Sequence, residues 1–142
     1  SPQEVFVAGA DGSVAQLLGD YDAGFVPAAR SSVSAELFAL HGTGAGSTLD
    51  VWAVGQQSTV LRRQGGGSFD PLNAGISATL TDVWAGSPSH VWLVGADGGA
   101  WKYDGRSFSY LPAPVRELRR IYGALDAGVW AVGGAGAVLF HP

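Results

Sequence analysis

Val51-Trp52-Ala53-Val54-Gly55 recurs in this chain as Val91-Trp92-Leu93-Val94-Gly95 and Val129-Trp130-Ala131-Val132-Gly133, and in a looser form as Val5-Phe6-Val7-Ala8-Gly9. The starts are 46, 40 and 38 residues apart. Self-similarity at about 40 residues marks a structure of stacked supersecondary units. Val and Trp suit a pleated, half-buried surface and Gly punctuates it, so each copy predicts a short β-strand.

The flanking sequence repeats too. A second apolar run follows each phrase: Ser13 to Leu18, Thr59 to Arg63, Gly99 to Tyr103 and Gly136 to Phe140. Two of the intervening turns read Ala-Asp-Gly (residues 10–12 and 96–98), which suits the positive φ angles of a tight hairpin. Gly-rich breaks at Asp22-Ala23-Gly24, Gly65-Gly66-Gly67 and Asp104-Gly105 precede third strands that start near Phe25, Phe69 and Phe108. A fourth strand comes before each later phrase, at Glu36 to Ala39, Asp82 to Ala85 and Arg120 to Gly123. Four short strands per unit bury too little apolar surface to stand alone, so the units must pack face to face. The expected fold is all-β: a β-propeller, or a propeller segment, of about four blades of antiparallel sheet. Its repeats fall at about 1–32, 33–78, 79–116 and 117–142 in one domain. Helical spacing of Val33, Leu37 and Leu40, and of Val115, Leu118, Ile121, Tyr122 and Leu125, offers a competing helix. Alignment with Thr79 to Trp84 favours strands.

Aromatic residues recur in the phrase (Phe6, Trp52, Trp92, Trp130) and one strand earlier (Phe38, Trp84, Tyr122), where packing between sheets accounts for them. Phe38 to Trp52 spans 14 positions, against 8 for Trp84 to Trp92 and for Tyr122 to Trp130. The six extra residues are expected in a loop over His41 to Thr48.

Composition excludes several functions. Glycine is 22 of 142 residues, twice the usual share of roughly 7%. The net charge of −4 provides no phosphate-binding field, so no nucleic-acid role is expected. Arg116, Arg119 and Arg120 beside Glu117 suggest a solvated strand or turn. Absence of cysteine removes disulfides, thiolate metal sites and a cysteine nucleophile. No segment has the roughly 18 apolar residues of a membrane span. The chain begins at Ser1 and contains no Met, as a processed, secreted protein or a fragment would. No P-loop, EF-hand or dinucleotide fingerprint occurs, and no cofactor is expected.

Two groups are candidates for ligand contact. Trp101 and Tyr103 beside Asp104 could stack on a sugar, with packing as the competing role for Trp101. His41 and His90 both follow the strand before the phrase and should share one loop face, either solvated or holding a ligand.

The phrase, its Asp-Gly turn, the Gly-rich break and the following aromatic resemble bacterial β-propeller repeats of the sialidase-type (Asp-box, BNR-like) lineage. Similar repeats occur in photosystem II assembly-factor propellers and in surface proteins of GC-rich bacteria. Gly95 to Trp101 keeps the Asp, Gly and Trp of the box but lacks its hydroxyl residue, as does Gly9 to Val14. In that lineage the box is chiefly a structural turn, which is the role implied for Asp11 and Asp97. The resemblance also orders the strands from inner to outer. The chain then lacks the inner strand of its first blade and the outer strand of its last. Completion by the remaining blades of a larger propeller, or by homo-oligomer formation, is the corresponding expectation. A sialidase would need an arginine triad and a Tyr–Glu nucleophile pair; neither is visible at matched blade positions. The resemblance therefore implies a non-catalytic, secreted, periplasmic or cell-surface module acting by protein–protein contact, with a carbohydrate-binding propeller or a glycosidase-like fragment as alternatives.

Overall fold

The computed structural model describes residues 4–17, 24–28, 31 and 33–142. Leu18, Asp22 and Ala23, placed above in a strand and a break, lie outside the described residues. Among the described residues, fourteen strands form four antiparallel sheets. The first holds β1 (Val5–Ala8), β2 (Val14–Leu17) and β3 (Phe25–Pro27). The second holds β4 (Leu37–Thr43), β5 (Asp50–Gly55), β6 (Val60–Gln64) and β7 (Asp70–Pro71). The third holds β8 (Leu80–Ser87), β9 (His90–Gly95), β10 (Gly99–Tyr103) and β11 (Phe108–Pro112). The fourth holds β12 (Leu118–Ala124), β13 (Gly128–Gly133) and β14 (Val138–His141). No α-helix occurs among the described residues. The helical spacing at 33–40 and 115–125 resolves into β4 and β12, because both segments must hydrogen-bond to the phrase strand of their own sheet.

In β5 and β9 the repeated phrase is apolar throughout because both of its faces are covered. Side chains alternate across a strand. In β5, Val51 and Ala53 pack toward the first sheet, with Val14, Leu61 and Phe69. Trp52 and Val54 pack toward the third, with Val83, Val91 and Leu93. The pattern moves along by one sheet for β9. Trp92 and Val94 meet Leu118, Ile121 and Val129 of the fourth. Three apolar layers therefore separate four sheets, and the neighbouring contacts run β1 to β4, β4 to β8 and β8 to β12.

The same register irregularity appears in the first strands of the second, third and fourth sheets: after Leu37, after Leu80 and after Leu118. It brings His41 opposite Trp52, Trp84 opposite Trp92 and Tyr122 opposite Trp130. His41, not Phe38, therefore occupies the place of Trp84 and Tyr122, and Phe38 is exposed at the bulge. The expected six-residue loop is corrected as well. β4 continues through His41 to Thr43, which pairs with Asp50. Leu37 to Gly55 spans 18 positions, against 15 for Leu80 to Gly95 and for Leu118 to Gly133, so only three extra residues lie in this hairpin. The other three fall between Gly9 and Leu37.

The hairpin turns also differ from the sequence pattern. Asp11 and Gly12 both have positive φ, at 56° and 67°. So do Gln57 and Ser58 (54° and 58°) and Ala135 and Gly136 (54° and 74°), in turns without Asp-Gly. In the second Ala-Asp-Gly only Gly98 is positive, and the Asp97 carboxylate accepts from the Gly99 amide at 2.9 Å. Chain reversal between the second and third strands' partners thus selects backbone geometry first and residue type second. The phrase-closing glycine has a different cause. A Cβ on Gly55 would lie 2.0 Å from the Glu36 carbonyl oxygen, and one on Gly133 would lie 1.9 Å from that of Glu117.

Two substitutions follow from these observations. Gln57→Gly should raise stability by roughly 0.5–1 kcal/mol, since relief of the left-handed side-chain penalty outweighs the opposing gain in unfolded-state freedom. Gly55→Ala should lower it by several times that amount, since backbone must move. Thermal and denaturant unfolding read both; an unchanged midpoint for Gly55→Ala would contradict the close approach.

Candidate functional site

The clefts between sheets follow one rule. The phrase aromatic of each sheet meets a cross-strand residue of its own sheet and a second-hairpin residue of the next. Trp52 pairs across the strand with Arg62, whose guanidinium lies 4.7 Å above the indole. Tyr103 of the third sheet closes on the same ring at a centroid distance of 5.2 Å. Trp92 pairs with Lys102, whose ammonium lies 5.5 Å from the ring, and His141 of the fourth sheet sits at 5.0 Å. Phe6 receives Arg63 of the second sheet at 4.9 Å. Cation–π contacts at such distances add to the area buried by the rings.

The cleft between the second and third sheets is clamped by charge. Arg62 makes a bidentate pair with Asp50, Nε to Oδ1 at 2.9 Å and Nη2 to Oδ2 at 2.7 Å. Asp50 is 2% exposed. Arg62 also donates to the Tyr103 hydroxyl at 3.4 Å and to the Pro88 carbonyl at 3.3 Å, both on the third sheet's side. The hydrogen bonds it donates to Asp50 are the main reason the Arg62 guanidinium holds its proton even more tightly than usual.

The first strands are tied by polar groups. The His41 imidazole accepts from the Ala85 amide at 3.1 Å, and Thr43 donates to the Gly86 carbonyl at 3.3 Å. The Asp82 carboxylate accepts from the Ile121 amide at 2.8 Å, and Thr81 donates to the Leu118 carbonyl at 2.7 Å. Burial lowers the His41 pKa from its ordinary 6.5, with the Asp82 charge opposing. Burial raises that of Asp82, against the amides of Ile121 and Val83.

The sequence candidates fall as follows. Trp101 is buried against Tyr110, with ring centroids 5.4 Å apart, and Tyr103 is buried against Trp52 and Phe108. Neither offers a free ring face, so the expected sugar platform is not built there. Asp104 is exposed and accepts from the Ser107 and Arg106 amides at 2.8 Å, which lower its pKa and make it a turn residue. His41 and His90 are not loop residues. They lie on β4 and β9 on either side of Trp84, with ring centroids at 6.5 Å and 5.8 Å. No cluster of three metal-ligating side chains occurs among the described residues. Asp50, Arg62, Asp82 and Lys102 were missed. Their signal is weak: a charge in or beside an apolar strand becomes meaningful only when the fold sets Arg62 and Lys102 opposite tryptophans and gives Asp50 and Asp82 their partners.

One aromatic position breaks the rule. Trp52 and Trp92 are 0% and 3% exposed, but Trp130 is 49% exposed and Tyr122 is 71%. Tyr122, Trp130 and Phe140 form a cross-strand row on the outward face of the fourth sheet, with Trp130 and Phe140 centroids 4.5 Å apart. Val132 and Val138 extend that row. No residue of a following sheet lies on it among the described residues.

Two outcomes check these assignments. Arg62→Ala should cost about 3 kcal/mol, the low end for stranding one partner of a buried pair, because the guanidinium edge still reaches solvent. A loss below 0.5 kcal/mol, roughly the worth of a surface pair, would deny the clamp. A base whose pKa falls on folding binds fewer protons folded than unfolded, so stability should drop as pH falls below about 6.5, with nothing lost above it. His41→Gln, which keeps an acceptor for Ala85, should flatten part of that drop in denaturant titrations at pH 7 and pH 5 (about the range in which histidine changes charge).

No family model matches the chain, and no curated protein matches it. The solved structure of YCF48 from Cyanidioschyzon merolae, a β-propeller, is similar to it with a TM-score of 0.73 and 17% identity. The match covers 95% of this chain and 50% of that one, so the chain spans about half the length of the structure it resembles. At this identity the likeness speaks to architecture alone. The four stacked sheets are a segment of β-propeller fold.

Proposed function

We propose that the chain is a non-catalytic binding and assembly module that works by protein–protein contact through the open face of its fourth sheet. The observation that carries this is the contrast between buried Trp52 and Trp92 and half-exposed Trp130 at one repeat position. An apolar, aromatic face of this kind marks an interaction surface. The occupant it fits is another propeller sheet of the same pattern, whose second hairpin would lay a side chain on Trp130 as Tyr103 does on Trp52. Such a sheet belongs to the remaining blades of a larger propeller or to a partner protein. A secreted, periplasmic or surface location is part of the same proposal. So is the absence of enzyme activity, which turnover of a fluorogenic sialoside would refute.

Light scattering coupled to size exclusion tests the contact. The protein should self-associate with rising concentration, and Trp130→Lys with Tyr122→Lys should restore the monomer without lowering the unfolding midpoint. A wild-type monomer at every concentration, unchanged by these substitutions, would refute the proposal.

A further inference from the structure

The second and third clefts are built on the same plan with one exchange. Cross-strand pairing sets Arg62 and Lys102 at matched positions opposite Trp52 and Trp92. Asp50 and His90 likewise each precede the phrase valine. In the second cleft the cation meets a carboxylate, and both Asp50 oxygens are taken by Arg62. In the third cleft a histidine stands in that carboxylate's place. The His90 Nε2 accepts from the Trp92 indole at 3.3 Å, so the ring answers the tryptophan rather than Lys102. No carboxylate lies within ion-pair distance of Lys102 among the described residues.

The third cleft is also open where the second is closed. Arg62 crosses the second cleft to Tyr103 and Pro88. The third holds a pocket of about 370 Å³ whose lining includes His90, Trp92, Lys102, Asp126, Val129 and His141. Burial lowers the His90 pKa from its ordinary 6.5, and the neighbouring Lys102 and His141 lower it further. Asp126 is the opposing charge, and it forms no ion pair with Lys102.

We infer that the pocket between the third and fourth sheets binds a small organic anion, a carboxylate or phosphate carried on an apolar ring or chain. The anionic group takes the place that the Asp50 carboxylate fills one sheet earlier, against Lys102. The body of the ligand lies along Trp92 and Val129. This does not rest on the assembly proposal, because the pocket and the open face of the fourth sheet use different sides of that sheet.

Benzoate and phenyl phosphate are suitable probes, with benzyl alcohol as the neutral counterpart. The readout is the Trp92 indole amide resonance, assigned with Trp92→Phe. Both anions should shift it saturably, and benzyl alcohol should not. Lys102→Met, which keeps the stem over Trp92, should weaken both anions at least tenfold, whereas Lys102→Arg should retain them. His90→Asp restores the second cleft's carboxylate. It should abolish anion binding and raise the unfolding midpoint. Absence of a saturable shift at tens of millimolar, undiminished binding in Lys102→Met or His90→Asp, or an equal response to benzyl alcohol would each overturn the inference.

Discussion

Everything in this molecule depends on a sheet with two apolar faces that cannot be left in water. A three- or four-stranded ribbon with the phrase at its centre presents valine or alanine on one side and tryptophan on the other. Neither side can be satisfied within the ribbon. Stacking covers both at once, and the period-2 alternation of the strand assigns each side to a different neighbour. That requirement explains why the phrase is apolar at every position, unlike a strand with one solvated face. It also explains why Gly55 and Gly133 have no room for a Cβ: there the backbone approaches the residue preceding the sheet's first strand.

The stack is held by a second, more selective device. A ring buried between two sheets still leaves the cross-strand position beside it, where a side chain long enough to lie over the indole excludes water. Arg62 and Lys102 do this with aliphatic stems and a cation at the tip. The cation then needs a partner. Asp50 provides one in the second cleft, and the result is a closed joint. The third cleft retains ring and cation but replaces the carboxylate with a neutral acceptor, and a pocket remains. A single exchange at one repeat position therefore separates a structural joint from a site with unspent charge.

The architecture was legible in the sequence because it is set by features of long period: four phrases, their spacing and the apolar runs between them. Finer placement was not. Phe38 looked like the counterpart of Trp84 because both are aromatic and precede the phrase. The bulge after Leu37 and the longer hairpin instead bring His41 to that place, and neither feature is marked by a distinctive residue. The turns were misjudged for a related reason. Positive φ at two successive residues is imposed by the hairpin and is accepted by Gln57 and Ser58, while Asp97 and Gly98 form another turn from the same residues as Asp11 and Gly12. For Trp101 and Tyr103 the sequence leaves sugar stacking and packing as rival roles, because burial of a ring depends on the neighbouring sheet, which sequence alone does not position.

The stack is directional, and this limits how its ends can be used. Each phrase tryptophan looks toward the next sheet, never toward the previous one, so the outward face of the fourth sheet differs from that of the first. The former carries Tyr122, Trp130 and Phe140; the latter carries Val5 and Val7 of β1. Two unlike faces cannot meet themselves across a two-fold axis through repeat packing. They satisfy each other head to tail, and such a contact closes into a ring if the rotation per sheet permits and otherwise propagates. A closed ring of sheets is the geometry in which no apolar face and no cation-bearing edge is left over. The asymmetry that drives assembly is thus written into each sheet by the alternation of its central strand.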